Sequence, residues 1–192
     1  MNSEKKIIYA ENESGNEFIL IKSELSGGEG QIYYIADKPD MCAKIYYFDF
    51  LTTEIEKKLK IMVQHPPVDP TISTLHHHSI AWPVDILYQD NEEREKKLIG
   101  FTMPLINVNR FLPLFFYFGN KDRIRLFGGN FTWKHLYNVA FNLSSVVSAL
   151  HEKKYFIGDF RENNILVSPD ALVSIIDCDS FQVKNESNSE VY

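Results

Sequence analysis

Cysteine is scarce: Cys42 and Cys178 are the only two in 192 residues, and they lie far apart in apolar, strand-like runs. A disulfide framework is not expected, and a reducing cytoplasm is the expected setting. Long apolar runs are missing too. The most apolar stretch, Phe111–Phe118 (FLPLFFYF), has eight residues, against the roughly 20 a membrane-spanning helix needs. It reads as a buried or packing helix, with contact at a membrane surface as the other reading. The opening MNSEKKIIYAENESG has no apolar core behind its lysines, so no signal peptide is expected. A basic excess is also lacking. Twenty Lys and Arg stand against 26 Asp and Glu, for a net charge of −6. That excludes a general nucleic-acid binder but allows a local basic groove for a nucleotide. Repeats and low-complexity segments are absent. What remains, 44% hydrophobic and 24% charged residues, is enough for a packed core in one domain or two small lobes.

The first half of the chain reads as strands. Phe18–Ile21 leads into the turn Ser26-Gly27-Gly28-Glu29-Gly30, and Gln31–Ile35 leads away. After a turn at Asp37–Asp40, Met41–Tyr47 is a third strand, so the chain opens as an antiparallel meander. A helix follows, with Thr53 and Glu56 as a capping box, Ile55, Leu59 and Met62 on one face, and His65-Pro66-Pro67 as its stop. Val68–Ser79 reads as loop. Ile80–Leu87 and Lys97–Ile106 read as two more strands, which makes five. The second half changes period. After the N-cap Thr132, the residues Leu136, Val139, Ala140, Leu143, Val146, Val147 and Leu150 recur at helical spacing.

Several constellations carry possible chemistry. Three glycines in four positions let backbone N–H groups approach a phosphate, or else form an ordinary hairpin. No Gly-Lys-Ser/Thr follows, so this is not a Walker loop, and the strand after it argues against a dinucleotide fingerprint. Lys44 lies inside an apolar strand, where an ammonium needs a partner or an outlet to water. Glu56 on the next helix is its expected partner, with Glu54 the other candidate and plain capping the alternative role. Asp159 and Asn164 flank a turn before an apolar run, and Asp177 and Asp179 follow the next one. An acid, an amide and further acids suit metal-assisted phosphoryl transfer, in which an acid holds the nucleophile and the others hold Mg²⁺. Polar turns are the plainer reading. Arg161 lies between the pair, placed to put a charge on the transferring phosphate. His76-His77-His78 is not expected to bind metal, because adjacent histidines rarely converge on one ion.

In order along the chain, the elements are Gly27-Gly28-Glu29-Gly30, Ala43-Lys44, Glu56 ahead of His65-Pro66, Ala149-Leu150-His151, Gly158-Asp159-x-Arg161-x-x-Asn164-Ile165-Leu166-Val167 and Asp177-Cys178-Asp179. This series resembles the protein kinase superfamily. The wording Ala-Lys-Ile-Tyr, Ala-Trp-Pro, Gly-Phe-x-Met-Pro and Asp-x-Asp-Ser-Phe-Gln is similar to a bacterial kinase-like group associated with von Willebrand A proteins and metal-dependent phosphatases. The resemblance covers roughly Ile19 to Val183. It implies an α+β, protein-kinase-like fold. Residues 1–106 would form a five-stranded antiparallel N-lobe with one helix. Residues 107–192 would form an incomplete, mainly helical C-lobe.

The resemblance also implies roles. ATP and Mg²⁺ are the implied cofactors. Gly27, Gly28 and Gly30 would cover the phosphates. Lys44 would bind them and pair with Glu56. Met103 to Leu105 would lie near the adenine. Asp159 would take the proton of a Ser or Thr hydroxyl, Arg161 would stand in the usual lysine's place, and Asn164 and Asp177, with Asp179 beside them, would hold the metal. Three departures stand out: Leu25 in place of the first loop glycine, Gly158 in place of the arginine before the catalytic acid, and Asp179 in place of the Asp-Phe-Gly glycine. The chain also ends soon after Asp177, so a fragment or shortened product is expected. Beside the kinase reading stand two others, a nucleotide-binding pseudokinase or regulatory module, and an interaction protein without nucleotide function.

Overall fold

The computed structural model describes residues 6–90, 95–184 and 190–192. The chain divides into two compact units, Met1–Pro66 with Trp82–Leu105, and Pro67–Ala81 with Ile106–Val191.

The first unit is a closed antiparallel barrel in the order β1-β2-β3-β4-β6-β5. Its strands are β1 (Ile7–Glu11), β2 (Glu17–Ser26), β3 (Gly30–Ile35), β4 (Lys38–Tyr46), β5 (Ile86–Asp90) and β6 (Lys96–Pro104). The expectation of five strands is therefore corrected to six. The missed strand is β1, and the reason is legible. Most of its residues are partly or fully exposed, with Ala10 alone buried, so it shows no clean alternation. Asn12 makes the turn that joins it to β2. Its Oδ1 accepts from the N–H groups of Ser14 and Asn16, and its Nδ2 donates to Asp85 Oδ1 at 2.8 Å. The opening meander is present, with β1 to β4 pairing in sequence. The strand expected over Ile80–Leu87 begins only at Ile86, after Trp82-Pro83.

Period-2 alternation decides which side chains of β4 go where. Ala43, with Met41 and Ile45 packed against it, joins the core of Phe18, Leu20, Tyr33, Ile35 and Leu87. Cys42, Lys44 and Tyr46 take the other face and are buried there. Helix α1 (Thr53–Gln64) buries Leu59 and Met62 completely, about 1.5–3 kcal/mol each by removal from water. Its N-cap is Thr52 rather than Thr53: the Thr52 side-chain oxygen accepts from the Ile55 N–H at 3.2 Å. A threonine one step earlier satisfies the same orphan donor, so two adjacent threonines leave the cap ambiguous in sequence. The Trp82 indole N–H donates to Met62 O at 2.8 Å and ties down the helix's last turn.

The second unit holds α2 (Ile72–Leu75), β7 (Leu112–Pro113), α3 (Asn120–Phe127), α4 (Trp133–Glu152), β8 (Ile165–Val167) and β9 (Val173–Ile175), with β7-β8-β9 as a small antiparallel sheet. The long helix predicted from Thr132 is present, and a capping box joins Thr132 to His135. The aromatic run Phe111–Phe118 is not a helix. It forms β7 and then a 3-10 turn at Leu114–Tyr117, because Pro113 lacks an N–H and sits at the turn's start. Tyr117 is fully buried against Phe127 and Phe131, and its hydroxyl donates to Val167 O at 2.7 Å. Burial pushes that phenol up to about 12.

The stretch Val68–Ser79, read as loop, carries the short α2 and is organised by one carboxylate. Asp69 accepts from the N–H groups of Thr71, Ser79 and Ile80 and from the hydroxyls of Thr71 and Ser79. His77 serves packing here. Its ring stacks on Phe111 at 5.0 Å and its Nε2 lies 2.9 Å from Val173 O. Among the described residues no helix is long and apolar enough to cross a membrane. Both cysteines are buried, and burial pushes the Cys42 thiol up to about 12.

Candidate functional site

The predicted site residues fall into two groups, one in each unit. In the first unit they lie in the β2–β3 turn and on β3, β4, α1 and the end of β6. Gly27 N–H closes the glycine turn onto Gly30 O at 2.9 Å, and Tyr47 N–H ties to Glu29 O at 2.9 Å. Gly30 pairs with Tyr46, and a Cβ at Gly30 would lie 2.6 Å from Ile45 O, so no other residue fits that approach. Around Gly28 a Cβ would meet nothing within 4 Å. The N–H groups of Gly28 and Glu29 donate to no described residue. Open space and two free donors at one turn fit an anion such as a phosphate.

Lys44 stands opposite Ile32 of β3 and Phe101 of β6. A buried ammonium needs compensation. Glu29 at the turn's tip supplies a carboxylate at 3.4 Å, and the Tyr46 ring lies 5.4 Å away. The predicted pairing with Glu56 is not formed. Glu56 binds Lys60, one helical turn on, at 2.9 Å and accepts from the Tyr88 hydroxyl at 3.2 Å. Glu13 Oε1, 3.1 Å from the same hydroxyl, shares that single proton as a second acceptor. Burial, then the charges of Glu56 and Glu13, push its hydroxyl well above the ordinary range. Spacing i to i+4 on one helix face favours the Lys60 partner, which a reading of Glu56 as a remote ion-pair partner overlooked. Met103 pairs with Cys42 across β4 and β6, and Leu105 N–H is donated to Asp40 O at 2.9 Å. That N–H is engaged within its own unit.

In the second unit the turn Asp159–Asn164 is self-braced. Arg161 N–H donates to Asp159 O, and Asn164 N–H to Arg161 O. Asp159 Oδ2 accepts from the Arg161 guanidinium at 2.5 Å and from Asn164 Nδ2 at 3.0 Å. The Arg161 hydrogen bond is the chief reason that the Asp159 carboxyl sits below the usual range. Asp159 Oδ1 accepts from no described residue, and neither does Asn164 Oδ1. One carboxylate oxygen is therefore anchored and the other open. An amide oxygen stands open beside it.

The Asn164 carbonyl accepts from Ile176 N–H at 3.0 Å, which draws this turn up to the residue before Asp177. Asp177 has a left-handed backbone, φ 61°, and starts the 3-10 turn Cys178–Ser180. Asp tolerates that region better than most residues. Asp177 and Asp179 were expected to project alike from a strand end. The strand stops at Ile175, so a turn rather than a strand end carries them, yet one carboxylate oxygen of each lies within 4.8 Å of the other, with Asp177 half-buried and Asp179 buried. The two carboxylates and the Asn164 amide oxygen are hard oxygen donors of the kind Mg²⁺ takes.

Sequence reasoning missed why Gly158 precedes Asp159. Phe156 and Gln182 exchange two backbone hydrogen bonds, 3.1 and 2.7 Å, which press Gly158 against the next segment. A Cβ there would lie 2.2 Å from Ser180 O. The signal was the glycine itself, in a place where the resemblance led one to expect arginine.

The barrel with one helix, and the small sheet with acidic and amide turns at its strand ends, are those of the protein kinases: the chain has a protein-kinase-like fold. Solved structures agree. Vaccinia related kinase 3 matches all of this chain and 56% of its own, with a TM-score of 0.61 and 16% identity. The ROP18 kinase domain in complex with AMP-PNP and sucrose matches 94% of this chain and 57% of its own, with a TM-score of 0.55 and 12% identity. More specifically, the chain is a kinase-like domain homologous to protein kinase YegI of Escherichia coli strain K12. The two are 30% identical over 171 residues, 88% of this chain and 24% of that protein. The same protein from a second Escherichia coli strain is 30% identical over 157 residues. The chain thus spans about a quarter of the length of these curated relatives. No protein-family model matches it.

Proposed function

We propose that the chain binds ATP with Mg²⁺ and transfers the γ-phosphoryl group to a Ser or Thr hydroxyl of a protein. The observation that carries this reading is the Asp159 turn, with one carboxylate oxygen held by Arg161 and Asn164 and the other open. Asp159 Oδ1 accepts the hydroxyl's hydrogen bond and then its proton. The hydroxyl oxygen forms a bond to the γ-phosphorus, the bond to the bridging oxygen breaks, and ADP leaves. Lys44 and the free N–H groups of Gly28 and Glu29 hold phosphate oxygens, with Gly27 and Gly30 shaping the turn. Asn164 Oδ1, Asp177 and Asp179 would hold the cation. Mg²⁺, when bound, offsets the phosphate charge. The stretch Met103 to Leu105 meets the adenine through groups other than the Leu105 N–H. Homology to a kinase supports the reading. The cytoplasmic setting rests on the scarcity of cysteine and the wide separation of Cys42 and Cys178 in sequence, and partners of the von Willebrand A and phosphatase classes rest on sequence resemblance alone.

Calorimetry with ATP, with and without Mg²⁺, tests the proposal. Binding that strengthens with Mg²⁺ and loses that gain in Asp177→Ala is expected. No binding of ATP under either condition would refute it. A second reading, a nucleotide-binding module without transfer, is favoured by one observation: Glu56 is engaged by Lys60 and Tyr88 rather than by Lys44. A melting shift with ATP–Mg²⁺ but no phosphate transferred would decide for it.

A further inference from the structure

We propose that Ser23 and Gln31 form a side-chain clip that holds the glycine turn in shape for a phosphate, which makes Gln31 a positioning residue. The ligand's identity rests on the function proposed above, whereas the clip rests on the fold of the first unit alone. The β2–β3 ladder pairs Lys22 with Tyr33 and resumes at Ser26 with Gln31. Three residues of β2, Ser23, Glu24 and Leu25, thus face only Ile32. Such a bulge strips backbone groups of their ladder partners. Two side chains supply replacements. Ser23 Oγ donates to Ile32 O at 2.8 Å and accepts from Leu25 N–H at 3.0 Å. Gln31 Nε2 lies 2.9 Å from Ser23 O, 2.5 Å from Leu25 O and 3.1 Å from Ile32 O. Ser23 is buried, so its bonds are shielded from water.

The clip closes immediately before and after the turn. Leu25 stands there in place of a glycine, so the chain bends by a bulge and needs side chains to fix it. A turn of three glycines is otherwise costly to order, and ordering it beforehand spares that loss when a ligand binds. The N–H groups of Gly28 and Glu29, which donate to no described residue, then stay held in the ordered turn.

The test uses the whole chain, with Gln31→Leu and Ser23→Ala. Amide hydrogen exchange is followed at Gly27 without nucleotide, beside calorimetry with ATP–Mg²⁺ and a thermal melt. Gln31→Leu is expected to speed exchange at Gly27 about tenfold and weaken ATP about tenfold, the worth of roughly one net hydrogen bond, with the melt little changed. Ser23→Ala should do the same more weakly, and it decides the matter if Gln31→Leu does not fold. Unchanged exchange at Gly27 overturns the clip. Faster exchange with unchanged ATP affinity overturns the positioning role. Wild-type protein that binds no ATP overturns the functional reading and the positioning role with it, while exchange still decides whether the clip exists.

Discussion

Lys44 and Asp159, the two charged groups with the sharpest assigned roles, are held in opposite ways. Lys44 sits inside a nine-residue strand whose partners on both sides fix its register, and its side chain is buried. Asp159 belongs to no strand or helix. Two neighbouring side chains and its own turn hold it, and its carboxylate is partly open to water. A ladder positions a residue through many bonds, none of them decisive. A self-braced turn relies on few, and each is exposed to substitution. Chemistry that must face solvent and substrate therefore lies where single changes act most sharply.

That contrast is best tested first at the turn. Asp159→Asn keeps an oxygen for Arg161 and Asn164 but removes the base. Turnover should fall by about 10²-fold or more, with ATP affinity measured by calorimetry nearly unchanged. A loss of ATP binding instead would assign Asp159 to the nucleotide rather than to the hydroxyl.

A smaller effect is expected at the glycines. Gly158→Ala pushes a Cβ into Ser180 O, a backbone atom with little room to yield. Urea unfolding should show a loss of roughly 1–3 kcal/mol. Gly28→Ala, with nothing within 4 Å, should stay within about 0.5 kcal/mol of the parent. Equal losses at both would erase the difference between a packed glycine and an open one.

The smallest effect is electrostatic. Arg161 holds the Asp159 pKa below its ordinary value. A depressed folded pKa means that ionised Asp159 favours the folded state above the unfolded pKa. That contribution disappears as pH falls through the folded value. In Arg161→Ala the titration midpoint of the Asp159 carboxyl, followed by NMR, should rise towards the ordinary aspartate range. An unmoved midpoint would mean that Asn164 alone sets it.

Much of this was legible residue by residue. The apolar, strand-like run around Lys44 placed it on a strand, and the apolar repeat after Thr132 marked α4 with its cap. The spacing of Asp159, Asn164 and Asp177 marked the acidic turns. Strand β1 escaped because its exposed residues break the alternation on which strand reading depends. The partner of Glu56 escaped because two cations were available to it. Lys60 was fixed by helix geometry alone, whereas the Lys44 pairing required knowing where α1 lies against the sheet.

The amino-acid order by itself settled the helices α1 and α4, most of the barrel strands, the chemical inventory and the likeness to kinases, because periodicity and residue chemistry are local properties of the chain. Tertiary structure alone decided that the sheet closes with a sixth strand, that Glu29 rather than Glu56 meets Lys44, and that Gly158 has no room for a side chain. Each depends on a distance between segments remote in sequence, and no local pattern encodes such a distance.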